Sequence, residues 1–473
     1  MTPAHRPTAG LVPFYLKLYD DLLPQLRAGF DGFIRRIGAA LEARGIAVHT
    51  APVCRVAGEF GAAVEQLEAA GADCLIALHL AYSPSLQAID VLCRTKLPLV
   101  LLDTTMDAEF GIGVSPDRIM YNHGVHGVMD LACMLRRRKR AFEIVAGHDS
   151  DPRVLDRAAD LVRAGLASRA LRGSRVLRVG ETFAGMGDFA VTEELLASRL
   201  GIQVTQVDIA SLDAAIGQVR DDAVAREVEE DRQRFNCELP AEAHARSVRV
   251  GLGLRQLIDA GGYHGVSVNF QAFDRSDRPA NTMPFLEISK AMARGIGYAG
   301  EGDVLTAALV GALARAFGAV TFTEIFCADW AGDALFLSHM GEISPAVAGD
   351  RPRIIAKPLF SGGSLDPGVL TCAVKAGPAL LVNLAPGPDD TFSLIVAPVQ
   401  VLAEGAALAP AMRDNIRAWV RPQVAVAPFL EAYGRAGGTH HSALVLGASV
   451  ESLKALASFA GLGFAAIAES EYA

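Results

Sequence analysis

Residues 45–105 read GIAVHTAPVCRVAGEFGAAVEQLEAAGADCLIALHLAYSPSLQAIDVLCRTKLPLVLLDTT. Three short apolar runs, GIAVHTAPV, DCLIALHLA and LPLVLLDTT, alternate with two segments, 59–70 and 83–93, whose apolar residues recur at helical spacing. The second and third runs are apolar almost without a break. Strands of that kind are buried on both faces, as in a parallel sheet covered by helices. Upstream, GLVPFYL supplies a further strand, and 22–44 has helical periodicity ending in Arg-Gly, a C-cap signal. In such folds ligands collect at the carboxyl ends of the strands, which here carry His79, Tyr82 and Asp103. Inside a strand run, His79 reads first as a core histidine.

Downstream, NHGVHGVMDLACMLRRRKR places His123 and His126 three residues apart at a helix start, on one face. Two histidines at that spacing suit a metal or a substrate hydroxyl. The closing basic run, RRRKR, suits a helix C-terminus. A new strand, loop, helix and strand then follow in SRVLRVGETFAGMGDFAVTEELLASRLGIQVTQVD. Its glycine loop lacks both GxGxxG and GK[ST], so a nucleotide is not indicated. Thr192 with Glu193 and Glu194 marks a helix N-terminus. Residues 213–235 are densely charged at helical spacing and read as a solvated helical face. Past Pro345 the texture changes. GVLTCAVKAG, PALLVNLAPG and FSLIVAPVQVL are β-rich runs separated by Gly, Pro and Asp-Asp turns, an antiparallel sheet or small barrel.

A chain of 473 residues is long for one core, so two or three domains are expected. Hydrophobic residues at 51% against 21% charged describe a globular protein. The net charge of −9 argues against nucleic acid. No apolar run approaches the roughly 18 residues that span a bilayer, and no leader pattern is present. The seven cysteines form no CxxC pair and read as reduced thiols, pointing to the cytoplasm.

Between 295 and 345 the chain holds groups that packing does not explain. Glu301 lies in a glycine-rich turn, GYAGEGD, before an alanine-rich helix. Glu324 ends a strand-like run, VTFTE, and His339 sits in SHMGE after an apolar run. A fourth group comes from GGTHHS, with His440 and His441. Adjacent histidines on a strand face opposite ways, so one of the two joins a given site. Two carboxylates with imidazoles give mixed oxygen and nitrogen ligation, suited to Mn²⁺, with Co²⁺ and Mg²⁺ as alternatives. Such a metal polarises a sugar carbonyl, and a pair of carboxylates can then move a proton between C1 and C2.

The words GMGDFAVTEE, GYAGEGDVLTAALV, TFTE, HMGEISP and GGTHHS occur in this order, and with them the sequence resembles the L-arabinose isomerase family, within the wider group of L-fucose and L-arabinose isomerases. The resemblance runs from about residue 75 to 450. It implies a metal site of Glu301, Glu324, His339 and His441, with the two glutamates as the proton-transfer pair. It implies substrate contacts at His126, Met186 and Tyr82, and a homo-oligomer, a hexamer of two trimers. Two segments depart from the family's pattern: VPFYLKLYDDLLP after the first strand, and AFDRSDRPANTMP before the helix at 285. Both shape the substrate pocket in the family, so a pentose or hexose other than L-arabinose is expected. Arg275 and Arg278 in the second segment are candidates to meet an acidic or phosphorylated sugar.

The expectation is therefore an α/β protein with flavodoxin-like parallel domains at 1–172 and 173–320 and a β-rich, barrel-like domain at 321–473. It would be a metal-dependent aldose–ketose isomerase acting on a small sugar through an enediol. A metal-dependent epimerase or lyase on the same scaffold is the alternative within enzymes. A non-catalytic sugar-binding protein is the alternative outside them, and no DNA-binding segment supports it.

Overall fold

The computed structural model describes residues 5–358, 363–405 and 408–468. The chain forms two compact units, His5–Arg169 with Lys454–Gly461, and Ala170–Leu453 with the segment from Leu462.

In the first unit the apolar runs form β1 (Thr8–Phe14), β2 (Ala47–Thr50), β3 (Cys74–His79), β4 (Leu99–Asp103) and β5 (Glu143–Ala146). They pair in the order β2-β1-β3-β4-β5, all parallel. β1 and β3 are buried along their whole length, as unbroken apolar runs require. The helical pattern at 22–44 is interrupted. Pro24 removes a backbone donor, and the chain makes a short helix, Lys17–Leu22, a 3-10 turn, Arg27–Phe30, and then the helix Asp31–Glu42.

The second unit opens with another parallel arrangement. Its strands are β6 (Arg175–Val179), β7 (Gln203–Val207), β8 (Asn236–Cys237), β9 (Gly265–Val268) and β10 (Gly297–Gly300). Four of them form a sheet in the order β10-β9-β6-β7, all parallel, while β8 pairs elsewhere. The helix Val304–Phe317 packs tightly on this sheet. A Cβ at Gly297 would lie 1.9 Å from the Ala307 carbonyl oxygen, so only glycine lets helix and strand approach this far.

The chain then turns antiparallel. The next strands are β11 (Val320–Asp329), β12 (Ala334–Ser338), β13 (Arg353–Ala356), β14 (Gly368–Thr371), β15 (Gly377–Pro386), β16 (Phe392–Val401), β17 (Ala418–Pro422), β18 (His441–Val445) and β19 (Gly463–Ala466). Seven form one sheet in the order β15-β18-β11-β12-β17-β16-β19. β15 also pairs with β16, so the ladder returns to its first strand. β19 joins β16 in parallel, which makes the sheet mixed and not purely antiparallel as the sequence predicts. β13 pairs with β14 and β8 in a separate small sheet.

The charged segment at 213–235 departs from expectation. Its helix, Asp221–Arg234, buries Glu227 and Asp231. Lys290 Nζ lies 2.6 Å from Glu227 and 3.0 Å from Asp231, and Arg255 forks onto both Glu227 and Glu287. His244 Nε2 meets Asp231 at 3.1 Å. The partners arrive from the helices Ala241–Gly261 and Phe285–Ala293, far along the sequence. No helix among the described residues is long and apolar enough to cross a membrane, and all seven cysteines are free.

Candidate active site

Glu301 follows β10 at the carboxyl end of the four-stranded parallel sheet. Its φ is +64°, a left-handed conformation that costs a non-glycine residue about 1–3 kcal/mol and is found mainly where surrounding structure enforces it. Here the enforcement is visible. Glu301 N–H donates to the Val268 carbonyl at 3.1 Å, and its own carbonyl accepts from Phe183 N–H at 2.8 Å. Gly302 has φ +86°, and a Cβ there would stand 2.5 Å from the Thr182 Cα. The glycine loop of 181–190 is thus seated directly on the Glu301 turn. Asp303 completes the turn: one carboxylate oxygen caps the helix Val304–Phe317 by accepting from Thr306 N–H at 2.9 Å.

The other three groups come from the seven-stranded sheet, and strand register places them. Glu324 on β11 lies directly opposite His441 on β18 and opposite Ser338 on β12. His339 follows Ser338. One end of three adjacent strands therefore presents a carboxylate between two imidazoles.

The structure brings Glu301, Glu324, His339 and His441 into one cluster. Glu301 Oε2 is 3.7 Å from His441 Nε2, and Glu324 Oε2 is 3.8 Å from His339 Nε2. Ligand atoms of Glu324, His339 and His441 all lie within 4.8 Å of one another, as do those of Glu301, His440 and His441, and His441 belongs to both groups. Its side chain is fully buried, and neither its Nε2 nor Glu301 Oε2 has a hydrogen-bond partner among the described residues. Most buried polar atoms in proteins are paired, because an unpaired one costs about 1–3 kcal/mol. Two carboxylates and two imidazoles with such open atoms are a set that could hold a divalent cation.

A second layer, which the sequence reading missed, fixes the histidines. His339 Nδ1 donates to Glu342 at 2.6 Å, and His441 Nδ1 donates to Asp303 at 2.9 Å. Both carboxylates are fully buried. With Nδ1 committed, each ring turns its Nε2, the atom that bears the lone pair when the ring is a metal ligand, into the cluster. Phe322, two residues before Glu324, meets both rings edge-on, at 4.8 Å from His339 and 4.9 Å from His441. Phe189 stacks on His441 at 5.2 Å. The signals were local: Asp303 stands at a helix N-cap two residues after Glu301, and Glu342 three residues after His339.

His440 also differs from expectation. β18 begins at His441, so His440 precedes the strand and escapes its alternation. Its Nε2 is 3.6 Å from Glu301 Oε2, while its Nδ1 holds Asp188 of the glycine loop at 2.6 Å. The two adjacent histidines therefore both reach Glu301.

The electrostatics separate the two glutamates. Burial works to raise the Glu301 pKa, but the His440 imidazole 3.6 Å away and the charges of His441 and His339 outweigh it, and the carboxyl ends below its ordinary value. Burial raises Glu324, against the pull of His339 and His441, and there burial wins. Burial opposes a charge on His339, and the Glu342 carboxylate overcomes it, raising the pKa. Glu301, against burial and with Asp188 adding, raises His440 to about 9.

Met186 lies half-buried in the glycine loop, two residues before Asp188. His126 and Tyr82 belong to the other compact unit, where they form a group of their own. Their rings stack at 4.8 Å and 5° between planes, and Tyr82 Oη lies 3.4 Å from Asp130. His123 Nε2 pairs with Tyr19 Oη at 3.0 Å. Arg275 and Arg278 are engaged by carboxylates: Arg275 by Asp277 at 2.7 Å, and Arg278 by Asp213, which also accepts from Ala280 N–H.

The comparisons with known proteins meet this geometry. Residues 175–317 match the model of the L-arabinose isomerase central domain, and residues 319–463 match that of the L-arabinose isomerase C-terminal domain. The chain belongs to the L-arabinose isomerase family. An L-arabinose isomerase of Nocardioides sp. is 30% identical over 82% of this chain and 78% of its own length. Those of Herpetosiphon aurantiacus and Flavobacterium johnsoniae are 27% and 28% identical over 82% and 84% of this chain, and over 79% and 80% of their own lengths. Among solved structures, a periplasmic binding protein of an arabinose ABC transporter from Shewanella sp. ANA-3 is 14% identical over 65% of this chain and 84% of its own, with a TM-score of 0.16, too low to carry an argument. As a member of this family the chain is an aldose–ketose isomerase, an intramolecular oxidoreductase.

Proposed function

We propose that the chain interconverts a pentose or hexose aldose and its 2-ketose through an enediol, with a divalent metal held by Glu301, Glu324, His339 and His441. The supporting observation is the pair of buried open atoms, Glu301 Oε2 and His441 Nε2, facing each other at 3.7 Å inside a cluster of like donors. Mn²⁺ is the ion proposed, with Co²⁺ and Mg²⁺ as alternatives. When bound, it supplies polarisation of the sugar carbonyl, which acidifies the adjacent C–H.

The rest is done by the chain's own groups. Glu301 and Glu324 enter from different sheets, which suits one carboxylate to take the proton from C2 and the other to serve the oxygens, or the reverse. Asp303 and Glu342 keep the imidazoles in one tautomer and orientation. His126, Tyr82 and Met186 are proposed to meet substrate hydroxyls and carbon faces. A neutral sugar fits better than an acidic one, because Arg275 and Arg278 already have carboxylate partners.

The curated relatives carry the name L-arabinose isomerase, and L-arabinose is the first sugar to try. The altered segments at 12–24 and 272–284 make another pentose or hexose the expected preference. We further propose flavodoxin-like domains over 1–172 and 173–320, a barrel-like domain over 321–473, a homo-oligomer, a hexamer or a trimer, and a cytoplasmic location. The β2-β1-β3-β4-β5 order and the return pairing of β15 with β16 support the first two readings.

The test is a panel of neutral aldoses, uronates and sugar phosphates incubated in D₂O with added Mn²⁺. Ketose carrying deuterium at C1, with deuterium at C2 of the recovered aldose, is the expected outcome. Two shorter fragments, or an epimeric aldose without ketose, would overturn the reading.

A further inference from the structure

Within the second unit, away from Glu301 and Glu324 in sequence, four arginines line one cleft of about 470 Å³: Arg351, Arg353, Arg413 and Arg417. Asp350 and Glu404 in the lining, with Glu238 and Asp414 beside it, pair with two of the four arginines and leave Arg351 and Arg413 without a carboxylate among the described residues. Like charges so gathered repel one another unless anions offset them.

The arginines are not alike. Arg417 is 5% exposed and is held by Glu404, with Asp350 at 3.5 Å. Arg353 forks onto Glu238 and reaches Asp414 at 2.9 Å. Arg351 donates only to backbone carbonyls, that of Gln233 at 2.9 Å among them. Arg413 is exposed, and among the described residues neither it nor Arg351 meets a carboxylate. The backbone carbonyl of Arg413 is itself clamped, accepting from Arg353 at 3.1 Å and from Arg417 at 3.2 Å. Two anchored guanidinium groups thus fix the point from which a third, unpaired one extends.

Guanidinium forks match the oxygens of phosphate, and several around one cleft make a binding site for that group. The volume falls in the range of small-molecule sites and exceeds what a single phosphate fills. We propose that this cleft binds a phosphate group, free or carried as a monoester on a small polyol, as a ligand separate from the isomerised sugar. Arg413 and Arg351 would grip the phosphate oxygens, while Arg417 and Arg353, held by their own carboxylates, fix the backbone from which Arg413 extends.

The test is calorimetric titration of the full chain at low ionic strength with inorganic phosphate, ribose 5-phosphate and ribose. Both phosphates should bind and ribose should leave the cleft empty. Arg413→Gln and Arg351→Gln should each weaken phosphate binding by about tenfold or more, the scale of one lost charged hydrogen bond. Arg435→Gln, whose partner is Glu431 outside the cleft, should bind as the wild type does. Turnover in phosphate-free buffer should be the same in all of these proteins. Equal affinity for the two phosphates assigns the cleft to free phosphate, and a preference for ribose 5-phosphate assigns it to a monoester. No phosphate binding by the wild type, or undiminished binding by the Arg351→Gln, Arg413→Gln double variant, overturns the proposal.

Discussion

Two regions of the second unit bury carboxylates, and they treat them in opposite ways. Around Lys290 every charge meets its opposite: Glu227 is held by Lys290 and Arg255, Asp231 by Lys290 and His244, Glu287 by Arg255 and Arg294. Around His441 the ion-pair partners of Glu301 and Glu324 among the described residues are imidazoles alone, and Glu301 Oε2 and His441 Nε2 are left open. The first region is complete as it stands. The second leaves donor atoms unpaired, and they are the ones proposed to hold the metal. A buried charge alone does not distinguish a scaffold from a site; two unpaired buried atoms facing each other at 3.7 Å among like donors point to one.

The comparison breaks first if the open cluster is not the catalytic one. Glu301→Gln and Glu324→Gln should each lower turnover by about 10²–10⁴-fold, the usual contribution of a positioned acid or base. Melting temperature should be unchanged or higher for Glu324→Gln, whose charge burial disfavours, and unchanged or slightly lower for Glu301→Gln, whose charge the imidazoles favour. Activity within about tenfold of wild type in either variant, ~1.4 kcal/mol, would falsify the assignment. In the closed network the expectation inverts. Lys290→Met should cost about 3–5 kcal/mol of stability by stranding buried carboxylates, while turnover per folded molecule holds. Denaturant unfolding and a steady-state assay on the same samples measure both.

A third effect lies in pH. Burial raises Glu227, but Arg255 and Lys290 overcome it and hold the carboxyl at about 2, against an ordinary 4.5. A folded-state pKa below the unfolded one gives stability that is present above about 4.5 and lost as pH falls toward 2. The shift corresponds to about 3 kcal/mol at neutral pH. Melting temperatures measured between pH 6 and 2.5 should fall less steeply for Glu227→Gln than for wild type. Parallel slopes would show that the network does not hold its charge.

What the sequence made legible follows from range. The apolar runs at 8–14, 74–79 and 99–103 announce buried parallel strands, because burial on both faces is written into each run by itself. Glu301, Glu324 and His339 stood out because each ends a regular element. The charged stretch at 213–235 misled because periodicity records charge and not partner, and Lys290 is 59 residues beyond Asp231. His440 misled because strand alternation was applied one residue before β18 begins. Asp303 sits in the turn before an alanine-rich helix and caps it; that its second oxygen holds His441, 138 residues on, is a fact of tertiary structure alone.

That double duty allows the finest test of the comparison. Asp303 Oδ1 caps the helix Val304–Phe317, and Oδ2 fixes His441. Asparagine caps a helix about as well as aspartate, so Asp303→Asn should leave melting temperature nearly unchanged. It replaces a carboxylate by a neutral amide opposite His441 Nδ1, weakening the hold on ring tautomer and orientation. Losing such a partner typically costs about 10–100-fold in metal affinity. Titration with Mn²⁺, read by the paramagnetic signal of the free ion, should show that loss directly, with no assay of turnover. Asp303→Ala should show the same loss and, in addition, about 1 kcal/mol of instability from the missing cap. If asparagine binds Mn²⁺ as tightly as wild type while alanine only destabilises, Asp303 is a helix cap and nothing more. The open cluster would then lack the pre-set histidine that separates it from the closed network.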